Sequence, residues 1–304
     1  QTPLADQTEM WRRLASGRLT LAIEIPPGFG RDLKRGAQPE VSILIDGAVP
    51  FRGDTIRGYV EGVHRQYLET RETGLGLARM GGMMGAPMRA PVMVETRFRY
   101  NQDFKSVYAM VPGILMLLLI MIPATMTAVG VVREKELGSI TNLYATPTNG
   151  GEFLLGKQLP YVGLALLSYV TLLLMALFLF QVPLTGGLGA LSLGAVLFVF
   201  AGTGLGLLMS TFMRTQIAAI FGTAIASVIP TILFSGMLVP VSALTGPARV
   251  MGYGFPSAWF NHVSVGSFTK GLTLGDLWLD YLALGAFGLG FFLLGLALLR
   301  TQER

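Results

Sequence analysis

The run Gly151-Glu152-Phe153-Leu154-Leu155-Gly156-Lys157-Gln158 has the GxxxxGK spacing with which a glycine-rich loop cradles phosphates. A working loop of that kind follows its lysine with Ser or Thr to hold Mg²⁺, and this chain has Gln158 there. Phe153, Leu154 and Leu155 are also too bulky for backbone amides to close on a phosphate, and no strand precedes them. The run reads instead as the start of a helix anchored by Lys157. Other chemistry is as thinly supplied. The absence of cysteine excludes disulfides, thiol catalysis and thiolate metal sites, and His64 and His262 are too few for a histidine metal centre. The carboxylates of the first 105 residues show no catalytic spacing. No residue is assigned to catalysis, to a cofactor or to a metal.

A different kind of site is suggested by Arg133-Glu134-Lys135-Glu136, followed by Leu137, Ile140, Leu143 and Tyr144 at helical spacing and stopped by Pro147. The pattern predicts a short amphipathic helix over 133–146. A helix that merely rests on lipid headgroups favours an uninterrupted basic face. Glu134 and Glu136 interrupt it, so a protein partner fits this face better than lipid.

The elements that hold this cluster are membrane spans. Apolar residues make up 52% of the chain and charged residues 13%, about half the usual share. Residues 1–105 hold 15 of the 23 Lys+Arg and 12 of the 18 Asp+Glu. The first third is therefore a water-soluble domain and the remainder a lipid-soluble one. The net charge of +5 is dispersed surface charge, with basic and acidic residues interleaved as in Glu69-Thr70-Arg71-Glu72, and points to no nucleic-acid partner.

A helix needs about 20 apolar residues to cross a bilayer, where every backbone polar group must be satisfied internally. Charge-free stretches predict five spans: 107–132, 158–182, 190–213, 215–238 and 281–299, with Pro183 and Gly186-Gly187 turning the chain between the second and third. The spans so drawn hold no ionisable residue, which counts against an ion-coupled carrier. Gly202, Gly204 and Gly206 in one span, and Gly285, Gly288, Gly290 and Gly295 in another, allow close helix approach, within the chain or between subunits.

Placing loop 133–157, Arg214 and the tail from Arg300 in the cytoplasm puts Arg133, Lys135, Lys157, Arg214, Arg300 and Arg304 inside, against Arg249 and Lys270 outside. Residues 1–105 are then extracytoplasmic and the C-terminus cytoplasmic. A hydrophilic domain crosses only behind a signal or a preceding helix. The chain starts at Gln1 on polar residues, so the expectation is a fragment that lacks one helix upstream.

Residues 1–105 mix periods: a helix over 9–15, strands over 19–25, 41–46 and 92–99, helices at 31–35 and 55–68, and a Gly- and Met-rich loop over 74–92. This is a small α+β domain. Past the fourth span, Pro230, Ser235-Gly236 and Pro240 break the helix, and an aromatic, apolar segment follows with Tyr253, Phe255, Trp259 and Phe260. A hairpin re-entering the outer leaflet over 240–262 fits it, and an interfacial aromatic belt is the alternative.

The run VREKELGSITNLYATP followed by EFLLGKQLPY resembles the signature between the second and third helices of ABC-2 type exporter permeases. YNQDFKSVYAMVPGILMLLL (100–119), MRTQIAAIFGTAI (213–225), IPTILFSGMLVPVSAL (229–244) and LALLRTQER (296–304) extend the resemblance over essentially the whole chain. It is similar in particular to the C-terminal membrane half of the ribosome-associated ATPase type, and also to stand-alone permeases of drug and polysaccharide exporters.

The resemblance implies an α-helical polytopic membrane protein of six helices, five of them visible here, with an extracytoplasmic domain after the first. It implies that 133–146 is a coupling helix docking on an ABC ATPase, fused upstream or separate, with Arg133, Glu134, Lys135 and Glu136 in polar contact and Leu137, Ile140, Leu143 and Tyr144 filling its groove. ATP and Mg²⁺ would bind that partner and not this chain. It implies a bacterial inner membrane location, a second permease copy or paralogue, a re-entrant hairpin carrying Pro240, Tyr253, Phe255 and Trp259, and contact with a ribosome only through the ATPase. The function implied is export driven by ATP. A membrane anchor for the ATPase, without transport, is the other reading.

Overall fold

The computed structural model describes residues 6–17, 19–35, 40–46, 53, 55–64, 66, 93–100, 105–138 and 150–302. The chain divides into two units, 1–105 and 106–304.

In the first unit, helix α1 (Gln7–Ala15) is followed by strand β1 (Leu21–Glu24), helix α2 (Phe29–Lys34), strand β2 (Glu40–Asp46), helix α3 (55–64) and strand β3 (Met93–Arg99). The sheet order is β1-β2-β3, antiparallel between β1 and β2 and parallel between β2 and β3. Alternation sets the faces. Ala22 and Leu44 are register partners, and Leu44 packs against a small core of Met10, Leu14 and Ala22 with Trp11 and Leu19. Thus one stripe of α1 covers one face of the sheet. The loop expected over 74–92 lies outside the described residues.

Among the described residues, the second unit has five helices long and apolar enough to cross a membrane. They are α4 (Ser106–Glu136), α5 (Gly150–Leu174, continued by a π turn over Met175–Leu179), α6 (Leu188–Phe212), α7 (Gln216–Phe234) and α10 (Trp278–Gln302), and the fold is that of a polytopic helical membrane protein with a small sheet. Between α7 and α10 lie two short helices, α8 (Pro247–Tyr253) and α9 (Pro256–Val265), the second extended by a π turn over Gly266–Lys270.

Helix α6 is the most enclosed span and packs on α4 and α10. Its glycines explain why. A Cβ on Gly206 would stand 2.2 Å from the Ala124 carbonyl oxygen, so only glycine lets α4 and α6 meet at that depth. Gly202 faces Ile120, Gly204 faces Gly288 and Phe291, and Gly288 faces Phe200. Gly285 and Gly290 have nothing within 4 Å.

Besides α4, which runs on through its charged end to Glu136, the boundaries depart from the charge-free stretches in α5, α7 and α10. Helix α5 begins at Gly150 rather than near 158, because Glu152 and Lys157 are good helix formers and their charges sit in its opening turns. All of 151–158 is therefore helix, and the GxxxxGK run forms no loop. Helix α7 absorbs Pro230 and stops at Phe234, where Gly236 takes φ +94. Helix α10 begins at Trp278, which places Asp280 in its first turn. The spans are therefore not free of ionisable residues: Asp280 is buried inside one.

Candidate functional site

The sequence segment singled out above begins as the last turn of a span. Helix α4 runs without a break from Ser106 through Glu136, then closes at Leu137 and Gly138, whose φ is +69. The separate helix expected from 133 is thus corrected for its first residues. Val131 and Val132 lead straight into Arg-Glu-Lys-Glu, all compatible with a helix, and the first residue suited to end one is Gly138. Ile140, Leu143 and Tyr144 lie outside the described residues.

That last turn is tied to three neighbouring helices. Glu134 accepts from Lys157 of α5 in an ion pair. The Lys135 ammonium donates to the backbone carbonyl of Ser210 at 2.8 Å. Ser210 lies in the last turn of α6, where carbonyls lack intrahelical partners and carry the negative end of the helix dipole. Glu136 accepts from the backbone N–H of Gln216 at 2.9 Å and from its side-chain amide. Gln216 opens α7, where orphan N–H groups carry the positive end. The N-cap residue Thr215 accepts from Ala218 N–H at 3.2 Å, so side chain and carboxylate share the capping of one helix start.

Lys135 and Glu136 thus each meet a helix end of opposite polarity, and Glu134 meets a lysine side chain. The position of Lys135 between Glu134 and Glu136 matters because consecutive helical residues point about 100° apart. One turn can then reach α5, α6 and α7 together.

Beneath the polar layer the same elements are joined by apolar contacts. Val131, Leu154 and Leu207 form a buried cluster with Phe292 and Leu296, and Ala128, Val132 and Ala219 form another with Val129 and Met213. Deeper in the bundle, the Gln158 side-chain amide donates to the Phe200 carbonyl at 3.0 Å and to Thr203 Oγ1 at 2.9 Å, which ties α5 to α6.

Glu136 is exposed although bonded to Gln216, and Arg133 and Leu137 are exposed beside it, Leu137 with 68% of its surface. Arg133 and Leu137 are four apart and lie on one face. Lys157 was anticipated as an anchor, whereas Ser210 and Gln216 were not. A backbone carbonyl carries no residue-type signal, and Gln216 had only its place after a capping Thr to mark it.

The segment 240–262 sits at the other end of the bundle. Pro240 precedes a short 3₁₀ turn, Tyr253 closes α8 and Phe255 is the N-cap of α9. The Trp259 indole N–H donates to the Tyr253 carbonyl at 3.0 Å, and the two rings lie 5.7 Å apart. The helical path of α9 runs on past 262, the bound expected for this segment, to Lys270. Pro256, Phe260 and Val263 are buried against the spans, with Phe260 stacked on Phe198 of α6 at 4.3 Å. Polar contacts hold it as well: Thr231 of α7 and Ser257 share a hydrogen bond at 2.7 Å, and Ser264 donates to the Pro112 carbonyl of α4 at 3.3 Å. The chain between α5 and α6 closes on the same helix. Gly186 N–H donates to the Ser267 carbonyl at 2.8 Å, and a Cβ on Gly186 would collide with that backbone at 2.9 Å.

Five apolar helices joined by polar links, with two shorter helices packed among them, define a multi-pass helical membrane protein. The family described as ABC-2 family transporter protein matches residues 1–297, and the chain belongs to it. It is 28% identical over 300 residues to the probable multidrug ABC transporter permease YbhS of Escherichia coli K12, covering 98% of this chain and 77% of that protein. It is 29% identical over 304 residues to the inner membrane transport permease YhhJ of the same organism, covering 97% and 76%. A segment is 30% identical over 155 residues to ABC transporter G family member 20 of Dictyostelium discoideum, covering 51% of this chain and 21% of that protein. No solved structure gives a significant match. The chain is therefore a membrane permease of the ABC transporter class, a transport component rather than an ATPase.

Proposed function

We propose that this permease exports its cargo under the drive of an ABC ATPase that docks on the segment beginning at Arg133. The observation that carries the reading is the set of polar links from one turn, Glu134–Lys157, Lys135–Ser210 and Glu136–Gln216, to three separate spans. A partner that displaces this turn must displace the ends of α5, α6 and α7 with it, because breaking the links strips partners from charges and helix ends.

Arg133 and Leu137 face the ATPase, and Ile140, Leu143 and Tyr144 continue the contact into its groove. ATP and Mg²⁺ are bound by that partner. Residues 1–105 and the α8–α9 hairpin lie on the outer side of an inner membrane, with Pro240, Tyr253, Phe255 and Trp259 turning the hairpin back into the outer leaflet. A second permease copy or paralogue completes the pathway. The multidrug description of YbhS, together with almost uniformly apolar spans, favours a drug-like or lipid-like cargo.

The test is an export assay in vesicles that hold the permease with its ATPase. Replacing Glu134 and Glu136 by Lys is expected to leave insertion and ATP hydrolysis in place and to abolish the export that hydrolysis drives. Undiminished export by that variant overturns the reading.

A further inference from the structure

Helix α7 has two unlike faces. Ile217, Phe221, Ile225, Ile229 and Leu233 recur every fourth residue and are exposed, as a ridge turned to lipid should be. Thr223, Ser227, Thr231 and Ser235 recur at the same spacing, and none has more than 2% of its surface exposed. A span on which every fourth residue is apolar thus hides a column of hydroxyls on its other side. That side packs on α4 and, towards the hairpin, on α9, and α4 and α9 pack on each other.

Part of the column is satisfied within the protein. Ser227 donates to the Ala224 carbonyl at 3.1 Å, Thr231 shares its hydrogen bond with Ser257 of α9, and Ser235 accepts from the Met237 N–H at 3.3 Å. Its two ends are not. Thr223 Oγ1 begins the column, buried and without a hydrogen-bond partner. Asn261 of α9 stands at the hairpin end, where a Cβ on Gly236 would lie 3.2 Å from its amide nitrogen. Its Oδ1 is also buried without a partner, in a side chain 9% exposed. Hydroxyls that only join helices are paired, whereas a buried oxygen left unpaired is costly. A water molecule with two to four polar partners removes that cost.

We propose that α4, α7 and α9 enclose a polar seam that binds water, running along α7 from Thr223 to the hairpin at Asn261. The seam offers hydroxyls and one amide and no ionisable group, so what it holds is neutral and hydrogen-bonding. Water in it makes a hydrophilic strip inside spans that are otherwise apolar. In the other direction Ala219 packs with Ala128 and Val132, against Val129 and Met213, and this apolar cluster closes the seam short of the Glu136–Gln216 link. The seam depends neither on the ATPase nor on which cargo is carried.

The test uses the whole chain in lipid nanodiscs, with Thr and Ile methyl groups and backbone amides isotope-labelled, and follows magnetisation transfer from water by NMR. The Thr223 and Thr231 methyls are expected to receive it, as does that of the exposed Thr245. The Ile225 and Ile229 methyls, interleaved with them along α7 but on the ridge, are expected to receive it from lipid instead. T223V keeps the shape of the side chain and removes its hydroxyl, and is expected to abolish the transfer from water to the Ser227 amide one turn away. A Thr223 methyl in the parent chain that receives nothing from water while Thr245 does overturns the proposal. So does a water signal at Ser227 that T223V leaves unchanged.

Discussion

The Glu136 carboxylate accepts from the backbone N–H of Gln216 at 2.9 Å, so the last turn of one span supplies a cap for the first turn of another. Residues eighty apart in sequence thereby share a helix terminus. In the reading proposed above, a cap shared between two helices is a mechanical link. Its loss would free α7 from α4 without unfolding either.

Replacing Glu136 by Gln keeps the acceptor oxygen and removes the charge, whereas Glu136→Ala removes both. Export driven by ATP is expected to fall more in the Ala variant than in the Gln variant, with ATP hydrolysis retained in each. The ratio of cargo moved to ATP consumed is the quantity to measure. Equal ratios in both variants and the parent would show that the cap transmits nothing.

The Glu134–Lys157 pair is accessible enough that its worth is small. A double-mutant cycle with E134A and K157A should give a coupling of about 0.5 kcal/mol, read from thermal unfolding in detergent. Exchanging the two charges, E134K with K157E, is expected to recover most of the export lost by E134K alone. Failure of the exchange to restore it would place Glu134 against something other than Lys157.

Gly206 and Gly285 make a matched comparison in the membrane unit. G206A drives a methyl group into the Ala124 carbonyl, so α4 and α6 must part, at a cost of about 1–3 kcal/mol. G285A meets nothing within 4 Å, and its effect should stay within about 0.5 kcal/mol. Unfolding temperatures of the two variants decide the matter. A large loss in G285A would instead mark that open face as a contact with another subunit.

Asp276, just before α10, accepts from the Thr273 N–H at 2.9 Å and from its hydroxyl at 2.8 Å, and these bonds hold its carboxyl below the usual carboxylate range. A depressed folded-state value contributes stability above the unfolded value, and that contribution is lost as pH falls through the folded one. The difference in unfolding temperature between the parent and D276N should therefore shrink on acidification. A difference that grows as pH falls would contradict the assignment.

Much was legible in the sequence because the bilayer and the family pattern are demanding. A span needs some twenty apolar residues whatever its neighbours, so Val107–Val132 or Thr215–Leu238 announce themselves. The charged run from Arg133 was visible too, though not that it closes α4 instead of opening a separate helix, and so was the unsuitability of Gly151–Gln158 as a phosphate loop. What a charge count cannot see is which charges a fold tolerates. Asp280 was left outside the last span because a carboxylate is costly at membrane depth, yet α9 brings His262 to it across a junction that local sequence does not encode.

Composition and period by themselves determined that this is a helical membrane protein, roughly where its spans lie and which turn carries a cluster of charges. These are properties of a residue and its near neighbours, set by hydrophobic transfer and helical spacing. Tertiary structure alone decided where those charges are spent. Glu134, Lys135 and Glu136 looked equivalent in sequence to Arg133, but packing aims the first three at Lys157, Ser210 and Gln216 and leaves Arg133 and Leu137 outside. The partners lie on helices brought together by long-range contacts such as Gly206 against Ala124, and such contacts have no periodicity to read.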